Sequence, residues 1–272
     1  MIKFKKHSTF ILSAFVILNA ATSLPVLANS NATKNEKPSF EDNFQGNALD
    51  TNKWVYRGSG KRNYCINDKS SVSVKDNKLV ITTYSKKNSQ GVLENYCGMI
   101  STDGKFKQKY GYWEASIRFN SVQGVQPAFW VQSNSVGSDI KNPEKSGVEI
   151  DVFEHLAEAK KNEYDNALHW NGYGADHKQW AKKYANTNIN DGKFHKYSVE
   201  WTPEHYIFYL DGKETARVAK STAPISEAEQ YIILSTEVPR ANFPQNGFGD
   251  EKQSVATMEV EYIKVYPCLA GN

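Results

Sequence analysis

One segment gathers the side chains best suited to chemistry: Val148, Glu149, Ile150, Asp151, Val152, Phe153, Glu154 and His155 in a row. Side chains alternate between the two faces of a strand, so Val148, Ile150 and Val152 point one way and Glu149 and Asp151 the other. Strict alternation would then send Phe153 to the acidic face and Glu154 into the apolar one, where an unpartnered charge is costly. A one-residue β-bulge near residues 152–153 removes the conflict and returns Glu154 to its fellow acids. Glu149 and Glu154 then behave as positions two pleats apart, with Cα atoms about 6.5–7 Å from each other. Side chains leaning together bring the carboxyl groups to roughly 5–5.5 Å, the separation of a retaining glycosidase pair. Three acids on one face cannot all ionise cheaply, so at least one pKa rises and supplies a proton donor near neutral pH. The other reading of the pattern is a solvated strand face with ordinary acids. The poor strand propensity of Asp and the repulsion of clustered like charges weigh against it.

The elements that must hold this strand are themselves strands. Residues 71–75, the turn pair Asp76-Asn77 and residues 78–84 read as a hairpin, and residues 206–210, Asp211-Gly212 and residues 213–218 read as a second. Residues 112–119 alternate, and residues 231–235 and 258–266 add two more strands. Helical pattern is confined to residues 157–163 and 226–229. No internal linker or repeat interrupts residues 40–268. The expected fold is therefore an all-β sandwich of two antiparallel sheets in one domain, with a barrel as the alternative. The 272 residues, 39% apolar, 23% charged and 12% aromatic, suit such a core and exclude a disordered chain or a coiled coil.

Residues 1–28 read as a secretory signal peptide: Lys3, Lys5 and Lys6, an apolar run from Phe10 to Leu18, and a permissive site at Val26-Leu27-Ala28. A membrane anchor is the alternative. Residues 29–39 read as a flexible leader. Secretion, extracellular or periplasmic, is the expected localisation. The segment holds three Lys and no acid, so its removal takes the formal charge from +3 to zero. A nucleic-acid partner then loses its electrostatic support. Export permits disulfides, and Cys65 and Cys97, each preceded by Tyr on either side of the first hairpin, are the expected pair. Cys268 is expected unpaired. No metal is expected, because His169 and His177 lack a third ligand at suitable spacing.

The acid segment resembles the signature of glycoside hydrolase family 16 in its bulged Glu-x-Asp-x-x-Glu form. The resemblance extends over nearly all of residues 40–268: Phe40 to Phe44 with Leu49-Asp50 and Lys53-Trp54, Gly98 to Thr102, Lys109 to Ser116, and Pro127 to Trp130 before the acids. Phe194-His195, Trp201-Thr202-Pro203, Leu210-Asp211-Gly212 and Met258 to Tyr266 continue it. It implies a jelly-roll β-sandwich with a concave sugar-binding cleft and a retaining double displacement. Glu149 would be the nucleophile, Glu154 the general acid/base, and Asp151 the group that modulates their protonation.

The resemblance also implies sugar contacts at Trp130, at His169 on the neighbouring strand, and at Asn63 in a polar cleft loop. Trp170, Tyr173 and Trp180 are candidate subsite walls, with packing as the alternative for each. His155 is a candidate to tune Glu154 or to cap its strand. Trp113 and Trp201 read as core. No cofactor is required. Calcium, bound by some family members, is unsupported because Glu261 stands where an Asp is often found. Two departures bear on the substrate: Gln126 precedes Pro127 where Trp is frequent, and a long loop spans residues 133–147. The expectation is an endo-acting, monomeric hydrolase of β-1,3 or mixed-linkage β-glucan. Red-algal galactan hydrolysis of the agar or carrageenan type, transglycosylation and a non-catalytic carbohydrate-binding jelly roll are the alternatives.

Overall fold

The computed structural model describes residues 37–241 and 246–267. The expected signal peptide, most of the expected leader and Cys268 lie outside the described residues. Two sheets face each other in a jelly-roll β-sandwich. The smaller has seven strands in the order Lys178–Tyr184, Tyr164–Trp170, Glu149–Glu154, Gln126–Gln132, Tyr231–Glu237, Met99–Ser101 and Val55–Tyr56, every neighbour antiparallel. The larger has eleven, built around Gly111–Phe119 and Ala256–Tyr266. Its one parallel pairing among the described residues joins Cys65–Asn67 to Leu93–Cys97, where Cys65 and Cys97 are also bridged by a disulfide.

The two hairpin signals produce tight turns. Lys75 pairs directly with Lys78 and Leu210 with Lys213. The two-residue loops between them all have positive φ, 52° and 55° at Asp76 and Asn77, 51° and 79° at Asp211 and Gly212. That backbone twist matches the twist of the flanking strands, and Asn, Asp and Gly tolerate it best. The two expected helical stretches are absent. Residues 157–163 form turns, closed by Ala159 N–H to Leu156 O at 2.8 Å and Glu163 N–H to Lys160 O at 2.9 Å, and residues 226–229 form no helix. Both are too short to repay helix nucleation. The only α-helix among the described residues is Pro143–Ser146, inside the 133–147 loop, and a single 3-10 turn spans Lys69–Ser71. No described helix is long and apolar enough to cross a membrane.

The inner faces meet in an aromatic core containing Trp54, Trp113, Trp201, Phe129, Phe153, Tyr197 and Phe208, all fully buried. Phe153 crosses from the acid strand to the facing sheet, with its ring 4.3 Å from Tyr197 and 5.2 Å from Phe119. Burying such a ring stabilises the fold by about 1.5–3 kcal/mol. That burial fixes which way the residue after Val152 must point.

Candidate active site

The register around the acid strand breaks between Asp151 and Glu154. On one side Asp151 pairs with Ala167 and Glu154 with Asp165, so Asn166 alone opposes both Val152 and Phe153. On the other, Trp130 pairs with Asp151 and Phe129 with Phe153, again skipping Val152. Val152 is the extra residue of a bulge, and Asn166 Nδ2 donates to its carbonyl at 2.7 Å. The bulge lets Val152 and Phe153 both enter the core and leaves Glu149, Asp151 and Glu154 on the outer face.

That face forms a pocket of about 330 Å³, lined by the three acids together with Trp130, Gln126, Gln132, Arg57, Arg62, Tyr173, Ser235 and Glu237. Gln126, Ala128, Trp130 and Gln132 share it because they alternate along one strand. Each outer acid has its own donors. Gln132 Nε2 donates to Glu149 Oε2 at 2.6 Å, and the Tyr173 hydroxyl donates to the same oxygen. Gln132 is oriented from behind by Arg57 Nη2, which donates to its Oε1 at 3.1 Å. Glu154 Oε1 accepts from Gln126 Nε2 at 2.8 Å. Trp130 is fixed by its Nε1 donating to Ser235 Oγ at 3.1 Å, with the Arg57 guanidinium 5.5 Å from its ring.

Burial sets the protonation of the trio. It holds Asp151 well above the usual carboxylate range, with the charges of Glu149 and Glu237 adding to the effect. It does the same to Glu154, reinforced by Asp151, Glu149 and Glu237 and opposed by His169. Glu149 is also raised by burial, but Tyr173, His169, Gln132 and Arg62 pull it back. Glu149 is therefore the member best equipped to carry a charge and Glu154 the one best equipped to keep a proton.

His169 lies directly opposite Glu149 on the neighbouring strand, with Nε2 3.2 Å from Asp151 Oδ2 at an angle that makes no hydrogen bond. Its Nδ1 meets His177 Nε2 at 2.9 Å. Glu149, Asp151 and His169 bring one potential ligand atom each within 4.8 Å of one another. Gln132 and Tyr173 already donate to Glu149 Oε2, and His177 occupies the far side of His169.

The other candidates divide. Asn63 stands at the rim and donates to Glu237 Oε2 at 3.4 Å, beside the Arg62–Glu237 ion pair at 3.0 Å, without lining the pocket. Trp170 and Trp180 are corrections: both pack partly against the core, and Trp180 stacks on Phe208 of the facing sheet at 5.8 Å. Trp180 pairs with Leu168, on the face opposite His169, so parity turns it inward. His155 is also corrected. It is buried outside the pocket, with Ser121 Oγ 2.9 Å from Nε2 and Glu163 O 2.8 Å from Nδ1, and burial lowers its pKa. Gln132, Arg57, Arg62, Ser235 and Glu237 were missed. Stepping by two from Trp130 finds Gln132, but nothing local marks the others.

The family model for glycosyl hydrolases family 16 matches residues 59–263. The chain belongs to this family. Among its relatives, it is 26% identical to glucan endo-1,3-beta-glucosidase A1 of Niallia circulans over 84% of this chain and 37% of that one. It thus spans less than two fifths of that relative. It is 28% identical to beta-porphyranase E of Zobellia galactanivorans, over 87% of this chain and 88% of that one. The solved endo-beta-1,3-glucanase of Pyrococcus furiosus superposes with a TM-score of 0.67 at 21% identity, covering 86% of this chain and 95% of that one. That likeness supports the family 16 sandwich.

Proposed function

We propose that the chain is an endo-acting β-glycan hydrolase working by retaining double displacement. The observation that carries this reading is the bulged strand that sets Glu149, Asp151 and Glu154 in one pocket beside Trp130. Glu149 attacks the anomeric carbon while Glu154 protonates the leaving oxygen. Glu154, now ionised, then takes a proton from the water that breaks the glycosyl–Glu149 bond. Asp151, between them, holds a proton that it can share with Glu149 as charge builds and dissipates. The Trp130 face suits the apolar face of a sugar ring.

The substrate we favour is a β-1,3 or mixed-linkage glucan, in keeping with the printed activity of the Niallia relative. A second reading, a red-algal galactan, draws on the match across most of the porphyranase and on Arg57, which pairs with no carboxylate among the described residues. Secretion rests on the pattern of residues 1–28, and N-terminal analysis of exported protein tests it.

The test is reducing-sugar release from laminarin, lichenan, agarose, porphyran and carrageenan, with Glu149→Gln in parallel. Turnover on a glucan should fall by roughly 10⁴-fold or more in the variant while oligosaccharide binding persists. Product anomers followed by NMR should show retention. Inversion, or a variant that still hydrolyses, overturns the mechanism. Binding without turnover on every polysaccharide would leave a carbohydrate-binding module.

A further inference from the structure

Strand alternation accounts for each pocket residue that hydrogen-bonds Glu149 or Glu154, with one exception. Tyr173 comes from the turn after Tyr164–Trp170, outside both sheets. It is 62% exposed, yet its hydroxyl donates to Glu149 Oε2. Little apolar burial holds the ring, so the turn itself must aim it. Asn171 and Gly172 have φ of 66° and 71°, and Gly172 rests on Gly137 of the 133–147 loop. The two backbones are so close that a Cβ on Gly137 would lie 2.5 Å from Gly172 Cα and 2.7 Å from its nitrogen. The 133–147 loop is itself braced. Ser133 Oγ and Ser135 Oγ donate to Ser146 O at 2.7 and 2.9 Å, and Ser146 Oγ donates to Asp139 O at 3.0 Å.

We propose that Tyr173, aimed by the backbone contact between Gly172 and Gly137, is a positioning residue that keeps Glu149 ionised and orients its carboxylate. The proposal rests on the nucleophile role given to Glu149 above. The groups around Glu149 are Asp151 and Glu154 on its own strand, Gln132 and His169 on the adjacent strands with His177 behind His169, and Arg57, Arg62, Tyr231 and Glu237 beyond. Within that set Gln132 donates both to Glu149 and to the Tyr173 oxygen. The phenol proton is thereby left for the carboxylate. Burial and the charge of Glu149 both hold the phenol protonated, so across the working pH range it acts as a donor. A hydrogen bond to the charged form of an acid favours that form.

Two variants test this. Tyr173→Phe keeps the ring and deletes the donor. Gly137→Ala changes no pocket-lining residue and displaces the turn that carries Tyr173. The carboxyl carbon of Glu149, assigned by its loss in Glu149→Gln, is titrated by ¹³C NMR without substrate. The acid limb of kcat/KM is measured beside it. In Tyr173→Phe the NMR midpoint should rise by about one pH unit, and the acid limb should move up with it, tenfold in activity at a pH below the limb, with KM nearly unchanged. Gly137→Ala should move both in the same direction. An unchanged midpoint in Tyr173→Phe overturns the proposal, as does a uniform loss of activity at every pH. A shifted midpoint in an enzyme whose Glu149→Gln variant still hydrolyses would instead overturn the nucleophile role and leave the contact standing.

Discussion

The two ends of the acid strand are built from the same residue type and differ in what surrounds it. At the Glu149 end, donors converge: Gln132 and Tyr173 bond the carboxylate directly, with Arg57 behind Gln132 and His169 across the strand pair. At the Glu154 end a single amide, Gln126, donates, while Asp165 faces Glu154 from the next strand and Asp151 adds its charge. Asp165 is itself raised by burial. Identical carboxyl groups 5 residues apart are thereby given opposite tasks. Role is assigned by neighbours that come from four different segments of the chain, not by the acid itself.

Three perturbations break or sharpen that contrast. The largest effect is expected from Glu154→Gln, which should lower kcat on polysaccharide by roughly 10²–10⁴-fold. An aryl glycoside whose leaving group needs no proton should be far less affected. Equal losses on both substrates would move the acid role elsewhere. Next, Phe153→Ala removes the ring that anchors the bulge against Tyr197 and should cost about 3–5 kcal/mol in urea unfolding. A loss below about 1 kcal/mol would mean that the bulge persists without its anchor. The smallest effect is expected from Asp151→Asn. Asp151 has a folded pKa above its unfolded one, so the native state holds extra protons between the two values. Stability is then present at low pH and lost as pH rises through the folded pKa. The neutral amide escapes that loss. The variant should melt higher than wild type at pH 8, with the difference vanishing near pH 4. Melting curves showing the reverse slope would indicate a stabilised buried charge.

Much of this arrangement was legible in the chain because it depends on local parity. Glu154 could not be reconciled with Ile150 and Val152 without an extra residue, and the register skips Val152 accordingly. The hairpin pairs Asp76-Asn77 and Asp211-Gly212 were equally local, since positive φ restricts the residues that suit such a turn. The rest depended on which strands become neighbours. Arg57 and Glu237 are 180 positions apart and line one pocket only because Tyr231–Glu237 and Met99–Ser101 lie between the acid-bearing half of the sheet and its edge. Trp170 and Trp180 were misplaced for a different reason. Aromatic type alone does not say which face of a strand a ring occupies, and their parity relative to His169 required the register to be known. Gln126 stood out only as a departure from a frequent Trp, and its bond to Glu154 gives that departure a chemical content.

Asn166 places an unusual restriction on inheritance. The residue is 2% exposed, and one hydrogen of its side-chain amide reaches the carbonyl of a residue that neither adjacent strand counts. An aliphatic replacement would fill the space but remove the amide that this oxygen accepts from. Substitutions there are thus filtered by reach and polarity as well as by size. A lineage that lost this amide would have to reinvent the spacing of its acids by another route.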